Sequence, residues 1–305
     1  MNQMITLLRR ELAEHPASWM VPAVLGGLFV AAALLAVFGI ARVGIDEVQF
    51  GSEVFAEGLD PAAIHAVLMV IFVPIALVFA LVISTVIAFY LLDTLYAERK
   101  DRSILFWKSL PVSDLKTVGS KYLTAFAAMP LQTIVLFVAT AVLVWLIVGT
   151  AGAVAGTGQF LLQGPWALAQ AAILLTYGLI ALGLWLAPLY AWLLLVSAFA
   201  KRAVLAWATL PPLLLIVAEQ TLFGTKYFAI TLGQRLSGGL DLAFSGKSHG
   251  MIDATEDGVS AFFPALADLL TPGRFLSSPA LWAGLVVAAV FFAGAVWLRR
   301  WRDES

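Results

Sequence analysis

The sequence has no cysteine, few histidines and little charge. Its 305 residues include three His, and Asp, Glu, Lys and Arg together make up 12%, about half the usual share for soluble domains. The absence of thiols excludes disulfides, thiolate metal sites and cysteine nucleophiles. A net charge of −1 gives no attraction for a polyanion, so no nucleic-acid partner is expected. Hydrophobic residues make up 62%, and polar surface this scarce predicts a chain embedded in a lipid bilayer.

Six apolar runs reach the roughly 20 residues that a membrane-spanning helix needs. They cover about residues 19–41, 67–92, 124–149, 167–198, 203–223 and 281–298. The runs are continuous, whereas the strands of a membrane β-barrel alternate apolar and polar residues. With barrel strands excluded, only helices can pair the backbone N–H and C=O groups within the lipid. The first run is longer than the core of a signal peptide. The sequence therefore predicts an all-α polytopic membrane protein with one transmembrane domain over residues 1–305.

Lysine and arginine predict the orientation of these spans. Of 18 such residues, 13 fall in the N-terminal tail, the 93–123 loop, the link after the fourth run and the C-terminal tail. Basic loops stay in the cytoplasm, so both termini are predicted to face the cytoplasm of a bacterial-type inner membrane. Apolar residues at helical spacing predict an interfacial helix over 1–16. Residues 224–280 then form a long outer loop.

The sequence shows no catalytic, metal or cofactor motif. His15, His65 and His249 are far apart, whereas a metal site needs clustered ligands. Gly246-Lys247-Ser248 resembles the end of a phosphate-binding loop, but Asp241 stands where that loop needs its first glycine. We predict that this chain is not an enzyme, has no ATPase site and contains no resident cofactor or metal.

Ionisable residues are scarce inside the predicted spans. Glu219 and Gln220, late in the fifth run, are a possible intramembrane polar site. The alternative is that they cap a helix near the headgroups. An ion-driven carrier usually has several such residues at the membrane midplane, so a partner protein is the favoured source of energy.

The loop between the second and third runs carries the strongest signal. It groups Ile104, Leu105, Phe106 and Trp107 ahead of Pro111, which ends a short helix. Ser113 can then cap the next helix. A short amphipathic helix outside the membrane suits docking into a groove of a partner. A helix lying in the membrane interface is the alternative.

This loop resembles the corresponding loop in permease subunits of type-2 ABC transporters. The residues that match the pattern are Glu98, Ser109, Leu110, Pro111, Val112, Ser113 and Lys121, while Arg102 replaces a common glycine. The resemblance implies that the loop contains a coupling helix, which docks on an ATP-binding subunit. The docking residues expected on this basis are Glu98, Arg99, Ser103, Leu105, Phe106, Trp107, Leu110, Pro111, Val112 and Ser113.

The resemblance also implies a function. The chain would be the membrane subunit of an ATP-driven exporter, forming the substrate pathway with a second permease copy or a similar chain. ATP and Mg would bind to the separate ATP-binding subunit. A different integral membrane protein, such as an ion-coupled carrier, an intramembrane enzyme or an assembly factor, is the alternative. No residue identifies a substrate.

Overall fold

The computed structural model describes residues 3–43, 61–101, 112–154, 156, 158–244 and 269–301. These residues form helices α1 (Gln3–Glu14), α2 (Ala17–Val43), α3 (Pro61–Lys100), α4 (Asp114–Leu123), α5 (Met129–Val154), α6 (Gln159–Phe199), α7 (Val204–Phe223), α8 (Tyr227–Ala243), α9 (Pro272–Leu276) and α10 (Pro279–Trp301). A π-helical turn, Thr124–Ala128, joins α4 to α5. The only β pairing among the described residues is one isolated bridge between Phe244 and Leu270.

Six helical stretches are long and apolar enough to cross a membrane. They are α2, α3, the continuous stretch Asp114–Val154, α6, α7 and α10. The predicted all-α polytopic fold with six spans is therefore confirmed. Several helices extend beyond the apolar runs, because polar residues with good helix propensity continue the same helix outside the hydrocarbon layer. Helix α3, for example, ends eight residues after Leu92, at Lys100.

Helix α6 occupies the centre of the bundle. It packs against α3, α5 and α10 along its length, and α7 and α8 contact it less extensively. Helix α2 lies against α5 and α3. The core is built from side chains such as Phe72, Phe79 and Phe137, and the Phe79 and Phe137 rings meet edge to face with centroids 5.7 Å apart. Aromatic pairs of this geometry add stability beyond area burial.

Small residues let two pairs of helices approach closely. A Cβ atom on Gly26 of α2 would collide with Thr140 Oγ1 of α5. A Cβ atom on Gly164 of α6 would collide with the indole nitrogen of Trp145 on α5. Because lipid provides little hydrophobic force between helices, close van der Waals contact of this kind holds such bundles together.

The fifth span is the least enclosed part of the bundle. Most large apolar side chains of α7, including Leu210, Leu214 and Leu222, are more than half exposed. After α7 the chain turns at Gly224 and enters α8, which packs on α6 and α9. The 17-residue helix α8 lies inside the segment predicted as the long outer loop. Residues 245–268 of that segment lie outside the described residues.

Candidate functional site

Four chain segments meet at the end of the bundle that contains α1 and the C-terminal end of α10. We call this the basic end, after the lysines and arginines of α1, α4, α10 and the α6–α7 link. Helix α4 contacts α1, α3 and α10 there. The segments approach one another through charged side chains that are almost fully buried. These side chains form what we call the charge cluster: Glu11, Glu98, Asp114, Lys121 and Arg299.

Lys121 of α4 lies at the centre of the charge cluster. Its side chain is 1% exposed, and its Nζ atom lies 2.9 Å from Glu11 Oε1, 3.0 Å from Glu98 Oε1 and 2.9 Å from Thr94 Oγ1. An ammonium group has three N–H donors. Two of them are donated to Glu11 on α1 and Thr94 on α3, and the ammonium group also forms an ion pair with Glu98 on α3.

Glu98 joins the two basic residues of the charge cluster. Its Oε1 faces Lys121, and its Oε2 accepts a hydrogen bond from the Arg299 guanidinium. Arg299 Nε lies 3.3 Å from Asp114 Oδ1, at the start of α4. With the exception of Asp114, whose side chain is 30% exposed, all members are at most 7% exposed. Removing one partner from such a pair leaves a buried charge uncompensated, which typically costs about 3–5 kcal/mol.

Tyr90 fastens α1 to the second span. Its hydroxyl donates to Glu11 Oε2 at 2.9 Å, so both oxygens of that carboxylate are occupied, one by α3 and the other by Lys121 of α4. The His15 ring meets the Tyr90 ring edge to face at 4.7 Å. Helix α1 is thereby bound to two spans by polar contacts rather than only resting on the bundle surface.

A second set of contacts joins α3 to the end of α6. Arg99 donates to the backbone oxygens of Ser197 at 2.6 Å and Ala200 at 2.8 Å. The Ser197 hydroxyl oxygen accepts from the backbone N–H groups of Leu95 and Tyr96, both at 3.0 Å. A guanidinium at the C-terminal end of a helix satisfies carbonyls that have no helical partner and interacts favourably with the helix dipole.

Four of the predicted docking residues lie in the described part of the chain. Glu98 and Arg99 lie in the last turn of α3. Glu98 belongs to the charge cluster, and Arg99 donates to the end of α6. Val112 and Ser113 precede α4, and Ser113 is its N-cap, with Oγ accepting from the Lys116 N–H at 3.4 Å. The other six, Ser103, Leu105, Phe106, Trp107, Leu110 and Pro111, lie outside the described residues. The 102–111 segment thus begins three residues after Arg99 and ends two residues before Ser113.

Glu219 and Gln220 lie away from the charge cluster. Glu219 accepts hydrogen bonds from the backbone N–H groups of Tyr227 and Phe228, both at 2.8 Å, and from Thr225 Oγ1 at 2.7 Å. These donors form the start of α8, where helical N–H groups lack partners. Gln220 is exposed. The geometry favours a capping role for Glu219 over an intramembrane polar site.

Sequence reasoning did not identify Glu11, Thr94 and Arg299 as site residues. A signal for Glu11 exists, because it lies three residues after Leu8 and seven after Met4, which places a carboxylate on the apolar face of α1. In the sequence, Lys121 belongs to the family pattern and to the basic residues of the 93–123 loop. Arg299 is one of several basic tail residues, and nothing in its local sequence distinguishes it from Arg300.

The fold and these contacts define a class: an integral membrane protein whose spans are tied together by charges at one end. Residues 61–182 match the model of a family described as ABC-2 family transporter protein. The match includes α3, the 102–111 segment, α4, α5 and the first part of α6. No curated protein and no solved structure gives a significant match. This match agrees with the resemblance of the loop between the second and third spans to that of type-2 ABC transporter permeases.

Proposed function

We propose that this chain is the substrate-pathway subunit of an ATP-driven exporter and that a separate ATP-binding subunit drives it through residues 98–116. The charge cluster is the observation that carries the proposal. It connects both ends of this loop to α1 and α10 through nearly buried ion pairs. Catalysis of ATP hydrolysis, with its Mg, belongs to the partner subunit.

The loop provides the docking surface. Its apolar group, Leu105, Phe106, Trp107 and Leu110, would enter a groove of the ATP-binding subunit, in the way that amphipathic helices bind to partners. The basic residues before it, Arg99 and Lys100, keep this part of the chain on the cytoplasmic side under the predicted orientation. Closure of the ATP-binding subunits around ATP would then push on the loop.

The charge cluster transmits this push to the spans. A shift of α3 relative to α4 or α10 would separate Glu98 from Lys121 or Arg299 and leave buried charges unpaired. Because that separation is costly, the cytoplasmic ends of these helices and α1 move together. Arg99 adds the end of α6 to the same group through two carbonyl contacts.

The third span can bend directly after the charge cluster. The π-helical turn Thr124–Ala128 begins three residues after Lys121. Such turns are common at functional sites and are one of the few causes of sharp helix bends. If α4 moves together with α1 and the cytoplasmic ends of α3 and α10, the angle of α5 in the membrane would therefore change.

A second permease copy completes the pathway in this proposal. One bundle of six spans is filled by its own side chains, with α6 at its centre. A route for substrate is then formed between two bundles, and the exposed α7 is a surface available for that contact. Export rather than import follows from the resemblance to type-2 transporters, and the substrate class is not part of the proposal.

Co-purification with the ATP-binding subunit encoded beside the permease tests this function. We expect the two proteins to form a complex in detergent and the permease to stimulate ATP hydrolysis. Leu110→Asp and Trp107→Asp should each abolish complex formation while the thermal unfolding temperature of the permease stays unchanged. Leu123→Asp is a matched control, because Leu123 is exposed at the end of α4 and lies outside residues 98–116. Unchanged complex formation in both loop variants would refute the docking role.

The alternative functions predict activity that does not depend on the ATP-binding subunit. An ion-coupled carrier, an intramembrane enzyme or an assembly factor would act without the ATP-binding subunit. Transport or catalysis by the purified chain alone, in vesicles without ATP, would therefore replace the exporter proposal.

A further inference from the structure

A cavity of about 560 Å³ opens at the basic end, beside the charge cluster. It lies between the α1–α2 junction, α3, α5 and the start of α7. Its size falls within the range of pockets that hold drug-sized ligands. Its walls are largely apolar and include Phe89, Leu92, Met129 and Leu205. Phe89 and Leu205 are 61% and 58% exposed, so the cavity is open to the surrounding lipid.

Two polar groups in this cavity have no partner among the described residues. Ser18 is fully buried, and its hydroxyl makes no hydrogen bond there. Asp93 lines the same cavity with an exposed carboxylate, and in the described part of the chain no lysine or arginine lies within ion-pair distance of it. Glu98, the other acidic residue of α3, is paired with Lys121 and Arg299.

Asp93 directly follows Leu92, the last residue of the second apolar run, so its carboxylate lies at the boundary between the apolar span and the headgroups. It lies five residues before Glu98, about 7.5 Å farther from the C-terminal end of α3. The headgroup of an amphiphile lies at the same depth when its chain occupies the apolar part of the cavity. Phe89 lies one helical turn before Asp93 and Tyr96 about one turn after it, on the same face of α3. A carboxylate flanked by aromatic rings is a favourable site for an ammonium group.

We infer that this cavity binds an amphiphile with a cationic ammonium headgroup, whose charge pairs with Asp93 and whose chain lies against Phe89 and Leu205. His15 lines the same cavity, and its Nδ1 atom lies 3.2 Å from the Glu11 carbonyl oxygen. With the proposed orientation, the ligand would come from the cytoplasmic leaflet. Binding itself needs neither ATP nor the ATP-binding subunit.

Photolabelling of the purified full-length chain in neutral maltoside micelles tests the site. Three diazirine-bearing probes with the same dodecyl chain are compared: a trimethylammonium, a phosphate and a neutral maltoside. We expect the ammonium probe to label the cavity segments 86–96 and 204–205 at concentrations at least tenfold lower than the other two. Equal labelling by all three probes would overturn the inference, since the site would then be apolar only.

Substitutions of Asp93 test the charge directly. Asp93→Asn should weaken binding of the ammonium probe at least tenfold, Asp93→Glu should keep it, and Asp93→Lys should reverse the preference toward the phosphate probe. Asp101→Asn is the control, because Asp101 is an exposed carboxylate eight residues later, outside the cavity. Unchanged binding in Asp93→Asn overturns the inference. If Asp93→Asn does not fold, the inference is tested by the comparison of the three probes on the unmodified chain and by binding of the ammonium probe to Asp93→Glu.

A second permease copy is the competing occupant of this surface. The chain contains no native cysteine, so a Phe89→Cys variant reports contact between copies without background. Efficient disulfide formation between two Phe89→Cys chains would show that the cavity is closed by the second copy and would overturn the inference. No cross-link, together with protection of the introduced thiol by the ammonium probe, would support it. None of these results depends on ATP-driven export, so failure here leaves the proposed function intact.

Discussion

The two ends of the bundle hold their charged residues in different ways. At the basic end, Glu98, Lys121 and Arg299 pair with one another across three helices. At the opposite end, Glu219 accepts from backbone N–H groups at the start of α8, and Arg235 donates to the backbone oxygens of Trp185 and Ala280 while lying over the Trp185 ring. Charge pairs between helices fix distances between elements, whereas backbone contacts satisfy the end of a helix. Under the proposed function, the coupled movement is therefore expected at the basic end.

Removing the central lysine should have the largest effect on stability. Lys121→Met leaves the buried Glu11 carboxylate without a cation and removes one of the two cations that pair with Glu98, and we expect a loss of about 3–5 kcal/mol. The measurement is denaturant or thermal unfolding of the purified chain in detergent. Lys116→Met is the matched control, because Lys116 lies on the same helix and its only described side-chain partner is the exposed Gln3. Its effect should stay within about 0.5 kcal/mol. Equal losses in the two variants would contradict the central position of Lys121.

The pair of Glu98 and Arg299 should show strong energetic coupling. In a double-mutant cycle of Glu98→Gln and Arg299→Met, we expect the double variant to lose less stability than the sum of the single variants, by about 1–3 kcal/mol. The loss is smaller because each single variant leaves the charge of the other residue without this partner, whereas the double variant removes both charges. Arg300→Met, which removes a neighbouring exposed guanidinium, should show no coupling to Glu98. Additive effects of Glu98→Gln and Arg299→Met would indicate that the contact contributes nothing specific.

The capping carboxylate at the opposite end should matter less. Glu219→Ala removes acceptors from three donors at the start of α8, and loss of a helix cap typically costs about 1 kcal/mol. The effect should be local, seen as faster amide hydrogen exchange at Tyr227 and Phe228 with unchanged exchange in α3 and α4. Gln220→Ala, at the exposed neighbouring position, should leave exchange unchanged. Faster exchange at the basic end in Glu219→Ala would show that the two ends are not independent.

The smallest effect is expected at the turn between the fourth and fifth spans. Ala203 has φ of 50° and ψ of 52°, a left-handed conformation that costs a residue with a Cβ atom about 1–2 kcal/mol. Ala203→Gly removes this cost but increases the entropy of the unfolded chain, so we expect a gain of a few tenths of a kcal/mol up to about 1 kcal/mol. The unfolding midpoint measures it. Ala200→Gly, at a residue with φ of −67°, should not stabilise the chain.

The spans could be predicted from sequence because they depend on local composition. Apolar runs of about 20 residues leave the backbone few alternatives in lipid, and the cap at Ser113 follows from the residues beside it. The start of the third span was harder to place. Residues 114–123 carry three charges and lie outside the apolar run, yet α4 continues into the third span, with Lys121 paired inside the protein.

The charge cluster could not be predicted, because it depends on where four separate segments end. Glu11 and Arg299 are 288 residues apart in the sequence and are brought to the same site only by the packing of α1 and α10 on α4. The sequence of α10 contains two adjacent arginines, and only the rotation of that helix decides that Arg299 is buried while Arg300 is exposed. Such information is tertiary and is not present in any local pattern.

Stimulation of ATP hydrolysis, measured together with binding, tests the central claim most directly. The chain and its ATP-binding subunit are reconstituted in vesicles, and the variants Lys121→Met and Arg299→Met are compared with Arg300→Met and Glu219→Ala. The claim predicts that all four variants still bind the ATP-binding subunit, while stimulation falls at least tenfold only in the first two. Full stimulation in folded Lys121→Met and Arg299→Met would contradict transmission through the charge cluster.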